Sequence, residues 1–267
     1  MPRPESSPPP AAAAGPGGAG MHGAGQQGPG QHDAGQHDAG PRWDALIVAG
    51  GRSRRLGGID KTALVWRGRS LLDGVVAAAS GAERTCVVGS DADLPDAVLR
   101  TVERPRWGGP AAAIAAGLAA LAGDSRAGAD AGSGENTDWV MVLAGDLVHA
   151  DAAVALLLAE LDRIGTAGAT STNTVAAPPV DGLISVDSDG RRQPLLAVYR
   201  RAALVASAGR QPADNLSVMS LIGSLTLREF RLPDDLGEDV DTPADAARLG
   251  IVVPAVTEPP RRPRAEQ

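Results

Sequence analysis

The chain has 267 residues, a formal net charge of −7 and a pI near 5.1, so no global positive field draws it to nucleic acid or an anionic membrane. Hydrophobic residues make up 43%, yet only six are aromatic (Trp 4, Tyr 1, Phe 1), which leaves Ala, Val, Leu and Ile to build the core. No apolar window is long enough for a membrane span and no signal peptide is recognisable, while the single cysteine, Cys86, excludes an internal disulfide or a Cys-x-x-Cys site; a cytoplasmic location is expected.

Residues 1–40 are Pro, Ala, Gly, Gln and His without apolar periodicity, and they end in the tandem repeat Gln31-His32-Asp33-Ala34-Gly35 and Gln36-His37-Asp38-Ala39-Gly40. Such a segment cannot bury a core and is expected to be a disordered tail. A formal Gly-x-Gly-x-x-Gly at Gly15–Gly20 has no strand before it and no helix after it, so it fails as a dinucleotide fingerprint. Residues 41–253 read as one domain and 254–267, rich in Pro and Arg, as a second tail.

The domain opens with the apolar run Ala45–Ala49, stopped by Gly50-Gly51, which predicts a buried parallel strand feeding a loop. A helix over 71–80, strands over 85–88 and 98–102, and an Ala-rich helix from Pro110 to about Leu121 follow. Residues 123–137 lack apolar anchors and predict a surface loop; 139–143 is again a strand and 152–164 a helix. This alternation predicts a doubly wound α/β sheet. Strands at 182–186 and 195–199 flank the turn-forming Asp187-Ser188-Asp189-Gly190, so an antiparallel pair and a mixed sheet are expected. Asn215 is read as the cap of a short helix through Gly223, 226–232 as a strand, and Thr242-Pro243 as the start of a last helix ending at Gly250.

The chemistry concentrates in Ala49-Gly50-Gly51-Arg52-Ser53-Arg54-Arg55-Leu56-Gly57-Gly58-Ile59-Asp60-Lys61. Glycines let the backbone approach a ligand, successive N–H groups can form an anion nest, and the cations neutralise phosphate, so the segment outlines a polyphosphate site. No Gly-Lys-Ser/Thr closes it as a P-loop, and a solvated Gly-rich turn fits the same letters. Lys61 is the only lysine among 25 basic side chains, in a chain that otherwise uses arginine.

Residue for residue, this segment resembles the signature loop of the molybdenum cofactor guanylyltransferase family, LAGGxSxRMGxDK, with Leu56 in place of the usual Met and one extra glycine. The similarity runs over about residues 44–250. It implies a three-layer, Rossmann-like, mixed but mostly parallel sheet of the nucleotide-diphospho-sugar transferase type, and a Mg²⁺-dependent transfer of GMP from GTP (or another NTP) to a phosphorylated acceptor, molybdopterin cofactor. The resemblance assigns Ala49, Gly50, Gly51, Arg52, Ser53 and Lys61 to the nucleotide, with Lys61 and Arg55 stabilising the departing pyrophosphate.

Three later segments recur in the family's order. Trp107-Gly108-Gly109-Pro110 resembles its GPLAG turn and implies that Gly109 and Pro110 lie near the base, although Ala113 stands where the family has glycine. Ala144-Gly145-Asp146 resembles its CDMP or CDTP segment and implies that Asp146 holds the metal and meets the nucleotide; Gly145 for Cys is expected to be harmless. Asp241-Thr242-Pro243 resembles NTPEDL or DTPEDL and makes Asp241 the second candidate ligand. Either aspartate also reads as an ordinary helix start. Gln193-Pro194 resembles the family's HP or QP segment, so Arg191, Arg192, Gln193 and Asn215 are candidates for the acceptor, or simply for an exposed hairpin tip. Cytidylyl transfer, another phosphorylated acceptor, and a non-catalytic cofactor-binding module remain as alternatives.

Overall fold

The computed structural model describes residues 40–50, 60–123, 137–170, 180–233, 236, 240 and 242–251, with backbone alone at 165–170 and 243. Both expected tails therefore lie outside it, as do most of the loop expected at 123–137 and residues 51–59 of the signature segment. The chain divides at Asp38/Ala39, and everything below concerns the second unit.

Seven strands form one sheet: β1 (Trp43–Val48), β4 (Thr85–Val88), β5 (Leu99–Thr101), β6 (Trp139–Ala144), β7 (Gly182–Val186), β8 (Arg192–Arg200) and β9 (Leu227–Arg231), in the order β5-β4-β1-β6-β8-β7-β9. Pairing is parallel except where β8 runs against β6 and β7. All six residues of β1 are buried, and alternate ones serve opposite faces, as the period of two requires. Ala45 and Ile47 join the core under α1 (Leu71–Ala78) and α3 (Ala150–Thr170); Leu46 and Val48 join the core under α2 (Pro110–Gly123), α4 (Arg201–Ala208) and α5 (Val218–Leu221). This is the expected three-layer α/β architecture of a mixed, mostly parallel sheet.

Three departures from the sequence reading have local causes. The two-residue strands β2 (Val65–Trp66) and β3 (Arg69–Ser70) turn through Arg67 (φ 49°) and Gly68 (φ 83°), and they are too short for alternation to reveal. Helix α4 follows β8 without a break and has no side-chain cap, so no start signal marks it. Asn215 does not cap α5. Ser217 does, its hydroxyl accepting from Ser220 N, while Asn215 takes a left-handed φ of 57°. The last helix, α6 (Pro243–Arg248), starts as expected, with Thr242 and Asp245 forming a reciprocal capping box.

β8 carries a large irregularity. Ile184 faces Ala197 but Ser185 faces Gln193, so Pro194, Leu195 and Leu196 have no partners on β7. The buried Tyr199 hydroxyl donates to the Pro194 carbonyl at 2.9 Å and holds this bulge closed from below. At the opposite edge of the sheet Asp44, fully buried, accepts from Arg84 Nε (3.2 Å) and Nη2 (2.8 Å) and from Thr137 Oγ1 (2.8 Å), and it also pairs with Arg201. Burial lowers the Arg201 pKa from its ordinary value. The Cys86 thiol is likewise buried within β4, and desolvation pushes its pKa up to about 12, so it is a packing residue and not a reactive one.

Candidate active site

Parallel β1, β4 and β6 send their loops off one edge, where open α/β sheets bind ligands beside the point at which strand order reverses. The ladder continues past the strand ends, with Ala49 N donating to Val88 O (2.9 Å) and Gly145 N to Val48 O (2.9 Å). These loops are packed backbone to backbone. A Cβ on Gly89 (φ 85°) would lie 2.7 Å from Gly50 Cα, and one on Gly145 would lie 3.0 Å from both Cα and Cβ of Ala49. A side chain at Gly145 would ask Ala49 to give by a few tenths of an ångström.

Lys61 opens a short 3-10 turn whose preceding residue, Asp60, fixes it: Asp60 Oδ1 accepts from Thr62 N (3.0 Å) and Thr62 Oγ1 (2.7 Å). The sequence paired Asp60 with Lys61 without giving the aspartate a task. In the structure it caps the turn that presents the lysine. Lys61 Nζ stands 3.8 Å from Asp146 Oδ2 at the end of β6, with both side chains partly exposed at 16% and 19%. Two residues 85 positions apart in the chain thus meet where the sequence analysis placed the phosphates.

Two cavities lie at the ends of β6 and β1. The larger, about 570 Å³, is lined chiefly by Leu147, Gln193, the bulged Pro194–Leu196 and the segment from Asn215 to Met219. The smaller, about 170 Å³, is lined by Val48, Gly50, Glu103, Trp107 and Ala113. Gly109 and Pro110 belong to both, so the start of α2 is a shared wall.

Of the candidate acceptor residues, Gln193 and Asn215 line the larger cavity. Arg191 and Arg192 are not among its lining residues: Arg192 Nε pairs with Glu229 on β9 at 2.8 Å, and Arg191 N donates to Asp187 Oδ1 in the turn. Gln193 Nε2 also reaches that turn, donating to Asp187 Oδ2 at 2.9 Å. His149 packs edge-on against Trp66 and belongs to the support of the hairpin. Sequence reasoning passed over Glu103 and gave Trp107 no role beyond its place in the glycine turn; their shared signal, a buried carboxylate four residues before an exposed aromatic, exists only after folding.

Gly51, Arg52, Ser53, Arg55 and Asp241 lie outside the described residues. Val240 is buried in one cluster with Val148, Leu64 and Ile251, which ties the start of the last helical segment to the loop after Asp146. Among the described residues no group of three or more His, Cys, Asp or Glu forms a metal cage. The single carboxylate of Asp146 still suits magnesium, which takes one or two protein carboxylates and completes its shell with phosphate oxygens and water.

A model of the MobA-like NTP transferase domain matches residues 45–225. A molybdenum cofactor guanylyltransferase from Acidiphilium cryptum is 39% identical over 79 residues, 28% of this chain and 40% of that protein, so the match spans two fifths of the relative's length. The molybdopterin-guanine dinucleotide biosynthesis protein A of Archaeoglobus fulgidus superposes with a TM-score of 0.52 at 19% identity, covering 78% of this chain and 96% of the other. Rv0371c from Mycobacterium tuberculosis H37Rv superposes at 0.51 and 20% identity over 79% of this chain and 98% of its own. The inositol-1-phosphate CTP transferase of T. maritima does so at 0.50 and 13%, over 78% and 92%. At such identities these likenesses are of fold.

Proposed function

The chain belongs to the MobA-like NTP transferase family, a family of nucleotidyltransferases, and from that premise we propose that it transfers GMP from GTP to the phosphate of molybdopterin-bound molybdenum cofactor. The observation that carries this reading is the meeting of Lys61 Nζ and Asp146 Oδ2, 3.8 Å apart, just past the ends of strands whose neighbouring residues line a small cavity (Val48, Gly50) and a large one (Ala144, Leu147). The small cavity takes the base and the large one the acceptor, and the triphosphate crosses the edge between them.

In this reading an oxygen of the acceptor phosphate attacks the α-phosphorus in line. The new P–O bond forms as the bond to the β-phosphate bridging oxygen breaks, and pyrophosphate departs with that electron pair. No general base is required, because a phosphomonoester is already anionic near neutral pH. Lys61 holds a positive charge beside the phosphates, and Arg55 adds a second. Pre-positioned charge of this kind is the main source of catalysis in such displacements. Asp146, with Asp241, would hold a magnesium ion, which when bound withdraws charge from the phosphate oxygens. Gln193 and Asn215 orient the acceptor, and the cytoplasm supplies the NTP.

The test is pyrophosphate release by the full chain with purified molybdenum cofactor and each of the four NTPs. Release with GTP well above the others supports the proposal, and a preference for CTP overturns its guanylyl part. Binding of nucleotide without release from any NTP points to a cofactor-binding module instead.

A further inference from the structure

Trp107 is the exposed aromatic side chain among the described residues, at 50%, in a chain with only six aromatic residues. Its backbone takes φ 71°, a left-handed conformation that costs a bulky residue energy and persists only where the surroundings enforce it. The enforcement is visible. The Trp107 amide donates to Oε1 of Glu103 at 2.9 Å, and Glu103 is 8% exposed at the floor of the same loop. On the far side Gly108 N donates to Pro105 O (3.2 Å), and Gly108 O accepts from Asn215 N (2.7 Å). A Cβ on Gly108 would lie 2.9 Å from Asp214 Oδ1 and 3.0 Å from Ala112 Cβ, so the loop is gripped from both sides.

What this arrangement builds is the rim of the 170 Å³ cavity. That volume is several times the ~30 Å³ share of one water molecule, so it suits a ring system. Its remaining walls, Val48, Gly50, Gly109, Pro110 and Ala113, offer backbone and small apolar side chains. Arg106, whose guanidinium stands 5.8 Å from the Trp107 ring centroid, pairs with Asp91 at 3.5 Å and is not among the lining residues.

We infer that Trp107 is the stacking platform for the nucleobase of the NTP and that Glu103 is the positioning residue that holds it there. The inference rests on the transferase reading above and deepens it. A π-face accepts any base, so the tryptophan supplies affinity and leaves the choice of base to hydrogen bonds elsewhere in the cavity. Because the loop is already held in the stacking conformation, little ordering cost opposes binding. Glu103 acts as an acceptor for one backbone N–H, a task that its amide analogue can perform.

Calorimetric titration of the full chain with Mg-GTP and with Mg-CTP tests this without any acceptor. Trp107→Ala is expected to weaken binding about tenfold (1.4 kcal/mol) by the same factor for both nucleotides. Trp107→Phe stays near wild type in affinity while the nucleotide-dependent quenching of tryptophan fluorescence disappears. Glu103→Gln binds like wild type, whereas Glu103→Ala follows Trp107→Ala. An unchanged affinity in Trp107→Ala, or a loss confined to one nucleotide, overturns the platform. Equal losses in Glu103→Gln and Glu103→Ala overturn the positioning role, since the carboxylate would then be reading the base by its charge. Wild-type protein that binds neither nucleotide overturns the transferase reading and this inference with it; wild-type binding that survives intact in Trp107→Ala overturns this inference alone.

Discussion

At the N-terminal edge of the sheet Asp44 is fully buried, receives three hydrogen bonds from Arg84 and Thr137 and pairs with Arg201; at the C-terminal edge Lys61 and Asp146 stand 3.8 Å apart and partly exposed. Both ends oppose cations and a carboxylate. The difference is in the carboxylate: Asp44 is fully buried and held by short contacts, although Arg84 and Arg201 keep 15% and 18% of their side-chain surface. The second pair stands beyond hydrogen-bond length, and both of its side chains keep part of their surface in water. The same pairing of side chains thus buries its carboxylate at one edge and leaves it partly exposed at the other.

Breaking the buried end should cost the most. Asp44→Ala leaves the part-buried Arg84 and Arg201 without their counter-charge, and a loss of about 3 kcal/mol is expected from chemical denaturation. Turnover per folded molecule should be unchanged; lost turnover at unaltered stability would erase the distinction between the two edges. The open end should respond in reverse. Lys61→Ala, Lys61→Arg and Asp146→Asn are each expected to lower pyrophosphate release at least about a hundredfold, near 2.7 kcal/mol of transition-state stabilisation, with the unfolding midpoint unmoved. Arginine fails because a planar guanidinium demands a wider, bidentate geometry than the capped turn at Asp60 presents.

A smaller effect sharpens the comparison at the acceptor wall. Tyr199→Phe removes the hydroxyl that closes the bulge, and about 1 kcal/mol of stability should go with it. A rise in KM for the acceptor but not for the NTP would localise the change to the larger cavity. Smallest of all is the exposed turn, where the Arg191 backbone N–H holds the Asp187 carboxyl below its ordinary value of 3.8. A depressed carboxyl stabilises the fold above its unfolded pKa, and that contribution is lost as pH falls through the folded value. The Arg191 amide should therefore shift with a midpoint below 3.8 in an NMR titration.

The sheet was legible from the sequence because buried parallel strands write themselves as short apolar runs ended by glycine, as in Ala45–Ala49 and 139–143. Lys61 and Asp146 were singled out by resemblance to family motifs, and folding brings their side chains within 3.8 Å of each other. Hairpin β2–β3 and helix α4 were not legible, since two-residue strands have no period and an uncapped helix has no opening signal. Asn215 misled because asparagine serves equally as a helix cap and as a left-handed residue, and the hydrogen bond to Gly108 that selects the second lies more than a hundred positions away. Glu103 and Trp107 are joined by a backbone contact, which leaves no mark in residue type.

The bulge in β8 has a consequence for how such a protein changes over generations. Pro194, Leu195 and Leu196 line the larger cavity yet lack β7 partners, while the strand on either side of them keeps its β7 pairing. Mutations there alter what the cavity admits and spare most of the cross-strand contacts that hold the sheet. Leu196 is itself buried and pairs with Leu143 on β6, so the exchangeable facing is Pro194 and Leu195, where a new cavity lining can be explored at least risk to folding.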